Sequence, residues 1–217
     1  MIDLHTHTFF SDGELLPSEL VYRAKRRGYT AICLSDHVDF SNIDFVVPRI
    51  VKVAKQLTKF YGIDVIPGAE ITYVPPKLIT KTVGMARKLG AKIVVVHGET
   101  TAEEVPPGTN RAGILSGTDI LAHPGRISAE DVRLAGKKNV LLEITSRKGH
   151  RNTNKHVAML AKRHNVKMVF NNDTHSLDNL IDERGIRKTL KLAGLTWNDY
   201  LTMQSNARRL IESNVKN

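Results

Sequence analysis

Short apolar runs in this chain repeatedly lead into histidine. His37 follows Cys-Leu-Ser-Asp, His97 follows three valines, His123 follows Ile-Leu-Ala, and His175 ends Phe-Asn-Asn-Asp-Thr-His. At the N-terminus Ile-Asp-Leu leads into His5 and His7, and Val-Ile-Pro-Gly-Ala leads into the acid Glu70. Imidazole and carboxylate are the ligands that borderline divalent metals take from a rigid frame. If the runs are strands, ligands at their C-terminal tips gather at one mouth. The pattern predicts a polynuclear metal site.

Seven β-rich runs support that placement: residues 1–4, 31–35, 64–68, 91–96, 118–122, 139–143 and 166–170. Between them lie segments of helical period. Leu20, Val21 and Ala24 mark the first, ended by Gly28 after a cationic last turn. Val47, Ile50, Val51, Ala54 and Leu57 mark the second, and Gly90 closes the third. Ser128 is an N-cap with Glu130 and Asp131 in its first turn; two further helices span 153–165 and 178–195. Strands alternating with amphipathic helices predict parallel βαβ units in an α/β protein. An open sheet collects ligands mainly at one switch point, whereas a barrel brings every strand tip to one rim. Candidate ligands follow all runs but the sixth, which ends in Glu143. That distribution favours a closed barrel of seven strands, with the site at their C-terminal ends.

At 217 residues, 41% hydrophobic and 25% charged, the chain is of ordinary globular composition. No linker-like tract divides it, so one domain over residues 1–217 is expected. No secretory signal opens it, and no apolar stretch approaches the roughly 20 residues needed to span a bilayer. The single cysteine, Cys33, excludes an internal disulfide and sits in an apolar run as a small buried residue. A cytoplasmic protein without membrane attachment is expected. The net charge of +10 suits anionic partners, a small phosphate ester or short nucleic acid, without choosing between them.

Individually the candidates are ordinary residues. His5 and His7, two apart at a strand end, face one side and can grip one metal, but a lone His-x-His is common. Asp12 before Gly13 is a typical turn acid. Asp36 beside His37 suits an outer carboxylate that orients an imidazole. Glu70 ends an apolar run, where burial without a partner is costly. Pro124-Gly125 turns the chain after His123 and leaves its imidazole at the rim. Asp173 and His175, again two apart, close the series. Taken together, six of the nine histidines fall at strand ends, a distribution that core or surface histidines have no reason to show. His156 and His164 lie on a predicted helix or its end, and His150 in the loop after the sixth strand.

The series His-Thr-His-Thr with Ser-Asp-Gly, Ser-Asp-His, Pro-Gly-Ala-Glu, Val-His-Gly-Glu, Ala-His-Pro-Gly and Asn-Asp-Thr-His resembles, in order, the motifs of the PHP (polymerase and histidinol phosphatase) superfamily. Asn-Ala-Arg-Arg-Leu from Asn206 is similar to a common C-terminal feature of that family. The resemblance spans nearly the whole chain. It implies a distorted (β/α)7 barrel of TIM type holding two or three divalent metals. It assigns His5, His7, Glu70 and Asp173 to the first metal, Glu70 as a bridge with His97 and His123 to the second, and Asp12, His37 and His175 to the third. Many relatives carry histidine where Asp12 stands. Zinc, manganese and iron all suit these donors.

The resemblance implies a phosphoric monoester hydrolase, with histidinol phosphate and nucleotides as candidate substrates. In that reading His175 or His37, or water on the third metal, protonates the leaving group. The loop after the sixth run, Thr-Ser-Arg-Lys-Gly-His-Arg-Asn, offers Arg147 and Arg151 as forked phosphate binders, and Arg126 follows His123. A second reading is a noncatalytic barrel that binds nucleic acid or serves in a complex. The complete ligand set and an aromatic content of 6% speak against it. A third, amide or ring hydrolysis, typically uses a carbamylated lysine bridge, whereas Glu70 stands at the bridging position here.

Overall fold

The architecture was taken from a computed structural model, which describes residues 1–215. The first βα unit is β1 (Ile2–Thr6) and α1 (Pro17–Arg26), followed by β2 (Ala31–Leu34), a short β3 (His37–Val38) and α2 (Ile43–Tyr61). β4 (Asp64–Ile71), α3 (Pro76–Lys88), β5 (Ile93–His97), α4 (Thr109–Leu115), β6 (Ile120–Ala122) and α5 (Ala129–Lys138) continue the alternation. β7 (Leu141–Thr145), α6 (Asn154–Arg163), β8 (Met168–Asn171), α7 (Glu183–Ala193) and α8 (Trp197–Val215) complete it. All strand pairs are parallel, in the order β1-β2-β4-β5-β6-β7-β8.

β3 is no extra stave. It pairs with Glu70 and Ile71 of β4, directly above the stretch of β4 that pairs with β2, so β2 and β3 form one stave broken at Ser35-Asp36. A parallel bridge between Thr6 and Thr174 closes the ring between β1 and the end of β8. The result is the expected α/β barrel with seven staves. Its strands differ from expectation mainly by sliding toward their C-termini. Glu70 lies inside β4, and His97 is the last residue of β5. Two helices, α4 and α8, escaped the sequence reading. α4 has only 7 residues, too few to establish a helical period. The region 178–195 yields a 3₁₀ turn at Leu177–Asn179 and then α7, not one helix.

Two apolar layers hold the barrel. The outer one lies between strands and surrounding helices, through residues such as Leu20, Ile50, Ile79, Val132 and Leu190. The inner one fills the barrel with Ile2, Leu4, Ala31, Cys33, Ile66, Ile93 and Val95, joined by Ala207 and Ile211 of α8. Thus α8 plugs the end where the strands start. Its polar side chains satisfy backbone there: Gln204 accepts from Ile2 N at 2.7 Å and donates to Ile2 O at 3.0 Å. Asn206 donates to Met168 O and Asn214 to Lys92 O, both at 2.9 Å. Cys33 is fully buried, as expected. Among the described residues no helix is long and apolar enough to cross a membrane.

Candidate metal centre

The barrel brings the dispersed candidates to its open end. Nε2 of His5 lies 3.1 Å from Oε2 of Glu70 and 3.8 Å from Oδ1 of Asp173; Nε2 of His7 lies 3.5 and 3.3 Å from the same two oxygens. Nε2 of His123 approaches Glu70 Oε1 at 3.8 Å, and His97 joins Glu70 and His123 in a second converging group. Asp12, His37 and His175 form a third group that shares His7, with His175 Nε2 3.2 Å and His37 Nε2 3.6 Å from the Asp12 carboxylate. Ligands sit about 2.0–2.2 Å from zinc, so neighbouring donors on one ion are about 3–3.6 Å apart. Five of the seven separations fall in that range, and the two of 3.8 Å lie just beyond it.

A sharper test of fit is which polar atoms lack a partner. Of seven buried side-chain nitrogens and oxygens without a hydrogen bond among the described residues, six belong to His5, His7, Glu70 and His123. Buried polar groups are otherwise almost always satisfied. Both Glu70 oxygens and both His7 nitrogens are among the six. Four imidazoles are meanwhile anchored through Nδ1, leaving Nε2 for the centre. His5 donates to Glu143 Oε1 at 2.8 Å, His97 to Gly98 O at 3.1 Å and His175 to Asp173 O at 3.1 Å, while His37 Nδ1 lies between Thr72 Oγ1 at 2.6 Å and Glu70 Oε2 at 2.8 Å. Such outer partners fix the tautomer and orientation of ligating histidines. The residues fit divalent metals.

Electrostatics agree with a site built to be filled. Burial drives His7 well below the usual imidazole pKa, with the charges of His37 and His175 adding to it; burial, His97 and His150 do the same to His123. Neutral imidazoles are the form that binds metal. At His5 burial acts the same way, but the Glu70, Glu143 and Asp173 carboxylates outweigh it and hold its pKa well above normal. For Glu70, burial opposes ionisation, yet His5 and His37 keep it well below the carboxylate range. Burial raises Asp173 against the pull of His5 and His175.

The backbone is strained where ligands are presented. His123 (φ 26°), Asp173 (φ 56°) and Tyr73 (φ 56°) adopt positive φ without being glycine, at a cost of about 1–3 kcal/mol each. The loops bearing His97 and His123 interlock. Gly98 donates to Ala122 O at 3.1 Å, and a Cβ on Gly98 would stand 2.3 Å from that oxygen. Asn110 binds both loops: it accepts from Glu99 N at 2.9 Å and donates to Pro124 O at 2.9 Å.

Not every expected role is realised. Asp36 orients no imidazole. Its carboxylate accepts from Thr8 N at 2.7 Å, from Thr8 Oγ1 and from Ser11 Oγ at 2.9 Å, so it shapes the loop between His7 and Asp12. The carboxylate that does orient an imidazole is Glu143, 138 residues from His5. Arg147 is part-buried and donates to Asn179 Oδ1 at 3.0 Å; Asn179 in turn accepts from His175 N at 3.0 Å. Arg147, Lys148 and Arg151 line an open basic cleft of about 650 Å³. Arg126 is exposed and apart from that cleft. Sequence reasoning missed Glu103 and left His150 open. His150 is buried, stacks on His123 with centroids 4.2 Å apart and bonds Thr100 through Nδ1 at 2.7 Å. Glu103 reaches His97 Nε2 at 3.1 Å and His150 Nε2 at 3.5 Å. The one available signal was position: His150 follows the strand that supplies no ligand.

A converging histidine–carboxylate cluster at the C-terminal mouth of a seven-stave parallel barrel defines a metal-binding α/β barrel of TIM type. A model of the PHP domain matches residues 3–183, and the chain belongs to that family. It is 46% identical over 196 residues to an uncharacterized protein of Methanocaldococcus jannaschii, covering 89% of this chain and 90% of that one. It is 23% identical over 199 residues to the DNA polymerase/3'-5' exonuclease PolX of Bacillus subtilis, covering 83% of this chain but only 35% of the polymerase. A Clostridium botulinum protein named as a probable phosphatase is 27% identical over 227 residues, with 88% of each chain covered. Among solved structures, a two-domain Bacteroides vulgatus protein containing a predicted PHP-like metal-dependent phosphoesterase shares the fold. Its TM-score is 0.51 at 18% identity, covering 88% of this chain and 62% of that one.

Proposed function

We propose that this chain is a metal-dependent phosphoesterase that hydrolyses a small phosphate monoester, histidinol phosphate or a nucleotide. The observation that carries the reading is Glu70. Its Oε2 faces His5, His7 and His37 and its Oε1 faces His123, so this carboxylate would be the residue two ions share. His5, His7, Glu70 and Asp173 would hold the first ion, Glu70, His97 and His123 the second, and Asp12, His37 and His175 a third; zinc, manganese and iron suit all of them. When bound, such ions acidify a water and neutralise phosphoryl charge.

The protein's own groups do the rest. Glu143 holds His5 in the tautomer that presents Nε2. Arg147, steadied by Asn179 beside His175, presents its guanidinium to phosphate oxygens at the edge of the basic cleft, with Lys148 and Arg151 behind it. His37, 23% exposed at its side chain, and His175 stand at the outer edge of the cluster, where either Nε2 can deliver a proton to a departing alkoxide when the third position holds no ion; when it does, water on that ion would take the role. The family match and the phosphatase-named relative support this reading. A cytoplasmic setting accords with the single buried cysteine.

The test is a phosphatase panel on purified protein with metal content measured on the same sample. Turnover of a monoester with two or three ions per chain is expected, and Arg147→Ala should raise KM about tenfold with metal retained. A fully metal-loaded protein that cleaves no phosphate ester would overturn the reading.

A further inference from the structure

His150 is buried among the candidate ligands yet differs from them. Its ring stacks on His123 with centroids 4.2 Å apart, and its Nε2 lies 3.5 Å from Glu103 Oε1 and 4.0 Å from Asp173 Oδ2. The difference lies in its other nitrogen. His5, His97 and His175 give Nδ1–H to a carboxylate or carbonyl oxygen, which can only accept, so their Nε2 atoms carry lone pairs. His150 Nδ1 instead meets the Thr100 hydroxyl at 2.7 Å, and that oxygen already accepts from Ala102 N at 3.2 Å. The hydroxyl proton is thereby free for Nδ1, which places the ring proton on Nε2. An imidazole in that tautomer points an N–H at the centre. It suits an anion, whereas a metal ion needs the bare nitrogen.

The anion now at that place belongs to the chain itself. Glu103 lays its carboxylate across two imidazoles, with Oε2 3.1 Å from His97 Nε2 and Oε1 toward His150. An ion at the second position would take His97 Nε2 for itself and leave the carboxylate to His150. Glu103 is free to move away, because residues 101–104 are exposed between buried Thr100 and Val105 and its side chain is 44% exposed. The place it covers adjoins the basic cleft. Gly149 and Arg151, on either side of His150, line that cleft together with Arg147 and Lys148. One loop thus offers cations outward and a buried N–H inward, the order in which an incoming phosphate would meet them.

We propose that His150 receives a phosphoryl oxygen at the inner end of the basic cleft, and that Glu103 is an internal anion that holds this place until phosphate displaces it. The proposal deepens the phosphoesterase reading, on which it rests for the identity of the anion.

The test titrates the metal-loaded full chain with inorganic phosphate by calorimetry, with metal content measured on each sample. Glu103→Ala should bind phosphate about tenfold more tightly than wild type, and His150→Ala about tenfold more weakly. His150→Gln keeps an N–H near the place of Nε2 and should recover most of that loss, which a role in packing alone would not give. Unchanged or weaker phosphate binding in Glu103→Ala overturns the internal anion; weaker binding with metal lost would make Glu103 a ligand instead. An affinity that His150→Ala leaves unchanged removes His150 as the donor. Failure of the broader reading looks different. If no ester is cleaved yet Glu103→Ala gains phosphate affinity, the anion site stands without the phosphoesterase. If an ester is cleaved and no variant changes phosphate affinity, this proposal alone falls. With neither turnover nor phosphate binding in any variant, both fall.

Discussion

The two ends of this barrel solve opposite problems with the same seven staves. At the end where the strands begin, α8 covers the opening, Ala207 and Ile211 enter the apolar interior, and Gln204 meets both the N–H and the carbonyl of Ile2. At the other end polar atoms of Glu70, His5, His7 and His123 are buried and unpaired. One end completes its hydrogen bonds and the other withholds them. The contrast teaches that stability is concentrated at the bottom and that the top is organised around something the chain must bind.

Substitutions at the two ends should therefore fail differently. The largest effect is expected from Glu70→Ala, which removes the shared ligand and should abolish turnover and bound metal. The ion pairs of Glu70 with His5 and His37 can be relinquished by deprotonating the two imidazoles, so the chelated variant should melt within about 4 °C of the chelated wild type. Metal analysis and paired melting curves check this, and a variant that keeps two ions per chain would sink the bridge. Next comes Ile211→Ala at the plug, expected to cost about 2–4 kcal/mol of stability while the folded protein still binds its full metal complement. Denaturant unfolding with metal titration decides it, and a loss of metal sites without loss of stability would reverse the comparison. The smallest is Glu143→Gln, which leaves the ligands in place but loosens the hold on His5. Metal affinity should fall about 10- to 100-fold, or about 1.4–2.7 kcal/mol. Competition with a chromophoric chelator measures it; unchanged affinity would mean that His5 is oriented by packing alone.

What was legible in the sequence follows the same division. His97 and His123 could be read because a valine run or Ile-Leu-Ala announces a strand and the next residues force a turn. The strands themselves were placed one or two residues early, since apolar character fades at the tips where Glu70 and His97 still belong to the sheet. Pairings across the barrel were illegible. Nothing local links His5 to Glu143 or Glu103 to His150; only the assembled barrel brings them together. Asp36 shows the reverse error, because adjacency to His37 suggested a partnership that the break between β2 and β3 directs toward Thr8 and Ser11 instead.

The interlock of Gly98, Asn110 and the Pro124-Gly125 turn limits how such a centre can be retuned. A Cβ on Gly125 would fall 1.8 Å from Glu99 O, and Asn110 grips both loops. His97 and His123 therefore behave as one casting, whose spacing cannot be adjusted from either loop alone. Asp12 differs in its side chain rather than its backbone: the carboxylate is 56% exposed, although a Cβ on the neighbouring Gly13 would stand 2.4 Å from His7 O. A change of donor is therefore most readily made by substitution at Asp12, with the spacing of His97 and His123 left unaltered.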